Sequence, residues 1–198
     1  MAVKIRGVVE SGELEDVMGN IVSRLTLEEF QRHHGGDNAE LIDGVVVPLV
    51  PAGNWCGLTG LNVAVIFGTF DDDNKLGIAC SNDTFVLIRK DPPRVRGADF
   101  CYWTAAAVTD EVDDAIIDAP PELCVEMRSP TYDWPCIFGK VADYLSAGVK
   151  AVLVLDPYTK TASLYRPTAP PEAFTCADEL TLPDVLPGFS APVARFFE

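Results

Sequence analysis

Apolar residues alternate with polar ones through Pro121 to Pro130, so that Leu123, Val125 and Met127 fall on one face of a strand and Cys124, Glu126 and Arg128 on the other. A carboxylate inside such a strand is costly unless it is paired with a base or holds a metal. Ser129-Pro130 stops the strand, because proline lacks the ladder donor and biases its predecessor towards extended geometry, and this puts Glu126 near a strand end. An ion pair with Arg128 or another base, or exposure at a sheet edge, accounts for Glu126 equally well on this stretch alone.

The same reading applies along the chain. Thr26-Leu27-Glu28-Glu29 has the form of a capping box and predicts a short helix from Leu27 to about His33, ended by Gly35-Gly36. His33 and His34 are adjacent, point about 100° apart on that helix and make a poor chelating pair. Asp43-Gly44 between the apolar runs 39–42 and 45–50 predicts an antiparallel hairpin. Leu58, Leu61, Val65, Ile66 and Phe70 recur at helical spacing up to the acidic run Asp71-Asp72-Asp73, which predicts a largely buried helix near 55–70. Short strands are expected at 77–81 and 84–88, then a strand over 95–103 that carries Asp99. Residues 109–121 read as a solvated acidic loop. Ile137, Val141, Tyr144 and Leu145 give the apolar face of a helix over 134–147 that carries Lys140 and is closed by Gly148. Strands at 151–155 and 161–165 and a short C-terminal helix over 193–197 complete the pattern. The sum is one α/β domain over 25–198, a mixed central sheet flanked by helices, preceded by an arm over 1–24 without a sustained period.

Composition narrows this. The chain has 198 residues, 48% hydrophobic and 23% charged, enough for one sizeable core. Its net charge of -15 opposes a nucleic-acid partner at long range, although a local basic rim or bound cations can invert the potential at one site. The six cysteines show neither CxxC spacing nor nearby histidines, so a structural zinc site is not expected; they are read as reduced and mostly buried, in a cytoplasmic protein. No apolar run is long enough to span a bilayer, and no membrane association is expected.

Three acids, Glu40, Asp99 and Glu126, thus lie on or beside predicted strands from separate parts of the chain, and Lys140 follows on the next helix. Carboxylates that hold a hard cation with open water positions, next to an ammonium that orients the attacking water, suit phosphodiester hydrolysis. Oxygen ligands favour Mg²⁺, with Mn²⁺ as an alternative, over zinc.

At these residues the chain resembles the Uma-two family of restriction-endonuclease-like proteins within the PD-(D/E)xK nuclease superfamily. Glu40-Leu41-Ile42-Asp43-Gly44 resembles the family's first hairpin, and Arg94 to Asp99 its strand ending in Pro-Asp, with Ala98 in place of the proline. Pro121 to Pro130 is similar to its P-E-L-V-V-E-V-x-S-P stretch. Lys140 to Val149 resembles its K-x-x-x-Y-x-x-A-G-V helix, Val154 to Pro157 its V-V-D-P, and Leu186 to Phe189 its L-P-G-F. The resemblance implies a restriction-endonuclease-like core that cleaves DNA, in which Asp99 and Glu126 ligate Mg²⁺, Glu40 contributes from the first hairpin, and Lys140 takes the lysine role from a helix. Arg128 occupies the position two after the acid where the superfamily usually carries that lysine, and so competes with Lys140. Cys56 stands where many relatives have histidine. Loss of activity with retention of the fold as a protein-binding module, and hydrolysis of a smaller phosphate ester, are the alternatives that the acidic charge favours. A homodimer is left open.

Overall fold

The computed structural model describes residues 14–15, 21–22, 24–108, 116–130 and 133–198. Most of the expected N-terminal arm and the 109–115 part of the expected acidic loop lie outside them. Two short strands, β1 (Leu14–Glu15) and β2 (Ile21–Val22), pair antiparallel. Helix α1 (Leu27–His34) starts where the capping box predicts, with the Thr26 hydroxyl accepting from the Glu29 amide and the Glu29 carboxylate from the Thr26 amide. The hairpin β3 (Ala39–Ile42) and β4 (Val45–Pro48) turns at Asp43 and Gly44, both at positive φ (54° and 85°), as the tight hairpin turn demands.

The main sheet continues with β5 (Gly77–Arg89), β6 (Arg94–Thr104), β7 (Leu123–Met127), β8 (Ala151–Asp156), β9 (Thr161–Arg166) and β10 (Ala169–Thr175). Its order is β10-β9-β8-β7-β6-β3-β4, with β5 also paired to β6. Among the described residues only β7 and β8 run parallel, which requires a crossover, and helix α3 (Trp134–Ala147) supplies it. Helix α3 is fixed at both ends. Asp133 caps it by accepting from the Cys136 amide, and Gly148 at φ 103° closes it with its amide on the Leu145 carbonyl.

Alternation along the central strands builds a core on each face of the sheet, and Phe30, Leu41, Leu87 and Val95 form a smaller cluster under α1. Phe100, Tyr102, Leu123 and Val125 point to helix α2 (Asn54–Asn74) and the C-terminal segment, where they pack with Val63, Phe67, Phe189 and Phe196. Cys101, Trp103, Cys124, Val152 and Val154 point to α3, against Ile137, Val141 and Tyr144. The register pairs Phe100 with Val125 and Cys101 with Cys124, so one step further Asp99 stands opposite Glu126 on adjacent antiparallel strands. The mixed sheet, the hairpin within it and the flanking helices are those the sequence predicts.

Several expectations change. The two strands over 77–88 are one, β5, bulged between Ser81 and Thr84 by Asn82 and Asp83, which adopt φ of 75° and 57°; Asn and Asp tolerate this conformation better than other side chains, so the polar pair makes a bulge where a break was expected. Helix α2 runs through the acidic triplet to Asn74 and ends on left-handed Lys75. It is not largely buried: Cys56, Thr59, Val63 and Phe67 face the core, while Trp55, Leu58, Leu61 and Val65 are exposed. Helical spacing alone does not say which of two apolar faces meets the sheet. Strand β10 carries Pro170 and Pro171, tolerable because it is a sheet edge. A small pair, β11 (Glu179–Thr181) and β12 (Ser190–Pro192), precedes the C-terminal 3-10 turn Val193–Phe197. The cysteines are free, but only Cys56, Cys101 and Cys124 are buried, with Cys80 intermediate and Cys136 and Cys176 exposed on an end-turn and a loop. Among the described residues no helix is long and apolar enough to cross a membrane.

The long β5/β6 pairing can be tested at its first residue. A Cβ on Gly77 would lie 1.9 Å from the Trp103 carbonyl oxygen, and backbone cannot yield as a side-chain tip does. Gly77→Ala is therefore expected to cost about 3 kcal/mol and to lower the thermal midpoint by roughly 6–12 °C, read by circular dichroism. An unchanged midpoint would contradict this register.

Candidate functional site

A cavity of about 50 Å³ opens where β7 ends and the chain turns towards α3. Asp99, Glu126 and Lys140 line it, with Asp83 from the β5 bulge, Cys56 from α2, and Leu49, Met127 and Ile137 as apolar wall. Strand β6 brings Asp99 and strand β7 brings Glu126 because the two are cross-strand neighbours; α3 brings Lys140 because it is the crossover that follows β7 directly.

Lys140 is 7% exposed and Glu126 2%. The ammonium donates to Glu126 Oε2 at 2.7 Å and to the Gly97 carbonyl at 2.7 Å, and lies 3.6 Å from Glu40 Oε1. Tyr144, one turn after Lys140, donates its hydroxyl proton to Glu126 Oε1 at 2.6 Å. Lys140 sits inside the pocket, held there by burial of its stem and by this ion pair. Asp99 Oδ2 accepts from the Met127 amide at 2.6 Å, a bond across the end of the ladder that fixes its carboxylate at the cavity.

Glu40 is close but differently engaged. Its carboxylate accepts from Arg96 Nη1 at 2.7 Å and from the Gly97 amide at 3.1 Å, and it is not part of the cavity wall. Arg96 and Arg94 both reach Asp143 on α3, and Arg94 reaches Asp43 of the hairpin turn. This partly buried chain of charges ties the hairpin, β6 and α3 into one frame around Lys140. Arg128 points elsewhere. It donates to Asp156 Oδ2 at 3.2 Å and lies 5.7 Å over the Trp134 ring, outside the cavity wall. Of the two cationic candidates, Lys140 is the one in contact with Glu126.

Charge is in surplus here. Burial raises the Asp99 carboxyl to about 6; Lys140 and the Met127 amide pull it down, while Asp83 and Glu40 push it up. Burial raises Glu126 to about 8, with Lys140 opposing and Asp99 adding. Lys140 itself loses by burial but is raised overall by Glu126, Glu40 and Asp99. The raised Glu126 and the cationic Lys140 pull against each other; with Lys140 donating to one oxygen of Glu126 and Tyr144 to the other, the pattern is that of an ammonium facing a carboxylate, and the unmatched negative charge is then shared between Glu126 and Asp99. Burial also raises Asp83.

The donor set suits a hard cation. Asp99, Glu126 and Asp83 offer carboxylate oxygens, and a divalent ion would offset the burial, and the lesser mutual repulsion, that hold the first two above their ordinary range. Among the described residues no three His, Cys, Asp or Glu side chains already gather tightly enough to enclose a metal. Two carboxylates and retained waters are the pattern Mg²⁺ favours, so the residues present fit it.

A family model named Uma2, described as "Putative restriction endonuclease", matches residues 27–194. The chain belongs to the Uma2 family. No curated protein matches it. Among solved structures, a crystal structure of a putative nuclease of the DUF820 family from Anabaena variabilis is similar with a TM-score of 0.76 and 14% identity, covering 87% of this chain and 97% of that one. The likeness at this identity is one of fold: a mixed α/β nuclease-like architecture.

Within the Uma2 domain the sequence reading missed three participants. Tyr144 lies four residues after Lys140, on the same helix face, so its spacing carried a signal that was assigned to the core. Arg96 follows its strand partner pattern but gave no sign of bracing Glu40. Asp83 was hidden by the break expected at 82–83.

The raised Asp99 carboxyl has a direct consequence for stability. An acid whose folded pKa is raised binds protons more tightly when folded, so stability falls as pH climbs from the unfolded value near 4 towards the folded value. For Asp99 that window runs from about 4 to about 6. Asp99→Asn keeps an acceptor for the Met127 amide and removes the charge. It should raise stability by about 2–3 kcal/mol at pH 8 and by little at pH 4. Equal denaturation midpoints for the two proteins at pH 8 would refute the raised Asp99 carboxyl.

Proposed function

We propose that this Uma2 protein is a Mg²⁺-dependent endonuclease that hydrolyses phosphodiester bonds in DNA. The observation that carries the reading is the meeting of Asp99, Glu126 and Lys140 in one cavity, in a chain of a family described as restriction endonucleases. Asp99 and Glu126 hold the cation, which when bound supplies the positive charge that the attacked phosphate requires. Asp99 is preset by the Met127 amide. Glu126 is preset by Tyr144, whose phenol burial keeps protonated as a donor. Lys140, steadied by the Gly97 carbonyl, exchanges part of its contact with Glu126 for the attacking water, orienting its oxygen towards the phosphorus and stabilising the negative charge that gathers there. Glu40 acts through Arg96 and the Gly97 amide, keeping the backbone that anchors Lys140 in place.

The second reading is a protein that keeps the fold and uses its acids for structure. The net charge of -15 and the closed pairing of Glu126 with Lys140 and Tyr144 favour it.

Lys140→Met separates the two. The methionine keeps most of the apolar stem and removes the ammonium, so calorimetric Mg²⁺ titration should still show binding, whereas cleavage of supercoiled plasmid should slow by about a hundredfold or more. Glu126→Ala should lose both. Wild-type protein that neither binds Mg²⁺ or Mn²⁺ nor cuts DNA would leave the structural reading standing.

A further inference from the structure

Helix α2 is apolar on both sides, and its outer side has an order of its own. Leu58, Leu61, Val65 and Gly68 follow one another at steps of three, four and three, the spacing of a seam that meets another helix. Leu58, Leu61 and Val65 are 38%, 61% and 52% exposed, and Trp55 beside them 52%. No charged residue occurs from Asn54 to Phe70, in a chain otherwise rich in acids. Scattered exposed leucines need no explanation, but a contiguous uncharged stripe does.

We infer that this face binds a second copy of the same chain, α2 against α2, antiparallel about a two-fold axis that crosses the exposed side at the level of residue 63. The stripe is self-complementary in that arrangement. Leu58 of one copy meets Gly68 of the other, where a Cβ would find open space, and Leu61 meets Val65. The helix ends agree. The first turn of α2 has no acidic residue and Gly53 gives no side-chain cap, while Asp72 and Asp73 lie exposed at the C-terminal end, where the helix dipole disfavours them. The antiparallel register places Asp72 of each copy by Asn54 of the other, against the positive end of the opposing dipole. Two such contacts favour a second copy over an unrelated apolar partner.

Trp55 completes the fit. It lies on the same side of α2 as Asn62, Ile66 and Phe70, and a two-fold axis across the helix pair keeps that side in common. There, Ile66, Thr69, Phe70, Phe189 and Ala191 wall a shallow depression, and the incoming Trp55 falls beside it. The seam and its surroundings would bury roughly 1,000 Å² in total, the lower end for a specific interface. The opposite face of α2 carries Cys56 into the cavity, so the same helix serves both surfaces.

Analytical ultracentrifugation of the full chain across the micromolar range tests this independently of any cleavage activity. Wild type should sediment as a species of twice the 21.4 kDa chain mass. Leu61→Asp, at a position already exposed, should keep the wild-type circular dichroism and weaken the dimer at least about a hundredfold, because two unpaired carboxylates would be buried. Gly68→Leu meets open space in the single chain, so its thermal midpoint as a monomer should not fall, while the dimer weakens roughly tenfold as the leucine collides with Leu58. A wild type that stays monomeric, as it would if another protein or nothing covered the stripe, overturns the inference. So does a dimer that either substitution leaves intact.

Discussion

The contact between Lys140 and Glu126 is the constraint on which the rest of the site depends. Each is an ionisable group placed almost wholly out of water, and either alone in that position would cost several kcal/mol. Their placement is tolerable only with all their bonds made. Glu126 takes Lys140 on one oxygen and Tyr144 on the other, and the Gly97 carbonyl takes a second proton of the ammonium. Gly97 is in turn held by Glu40 through its amide, and Glu40 by Arg96. Polar networks of this kind are poor sources of net stability compared with apolar packing of the same volume. A core that retains one therefore points to a use for the charges, and this is the physical argument for a site here apart from any family resemblance.

That use must answer the surplus of acid. Asp83, Asp99, Glu40 and Glu126 surround a single buried ammonium, and Arg96 is spent on Glu40 and Asp143. An incoming cation meets a field already prepared for it. An incoming polyanion meets the opposite, at the site and over a chain of net charge -15. Under the proposed reaction, cation binding must precede or accompany substrate binding, because without it the cavity repels a phosphate. Affinity for DNA would then depend on the divalent ion more steeply than on monovalent salt, which only screens.

Much of this was legible in the chain because the strong local signals concern backbone. The capping box at Thr26, the Asp43-Gly44 turn and the Gly148 stop each set helix or strand boundaries, and the acid inside the Leu123–Met127 run marked its strand as exceptional. The register that sets Asp99 opposite Glu126 came from the sheet itself. What was not legible is where neighbouring elements lie. Tyr144 and Val141 share one helical pattern, yet the first meets a carboxylate and the second only core. Asn82-Asp83 reads as a turn and acts as a bulge because β6 continues past it on the other side. Arg128, two residues after Glu126, competed in the sequence with Lys140, and the end of β7, which turns Arg128 towards Asp156 and Trp134, takes it out of contact with Glu126.

Helix α2 shows the same limit and why it matters. Its apolar residues are too many for one face, and periodicity read them as one buried set. The sheet accounts for Cys56, Thr59, Val63 and Phe67, chosen because Gly60 between them allows approach to Met127, where a Cβ would stand 3.1 Å from the methyl group. Close packing on that side leaves Leu58, Leu61 and Val65 on the exposed side of the helix. A helix in this position cannot be optimised for the cavity without also fixing what it shows to solvent, since a rotation that buried Leu61 would carry Cys56 out of the site wall. The inner face is set by the acids it helps to enclose, and the outer face follows from it by the geometry of 3.6 residues per turn.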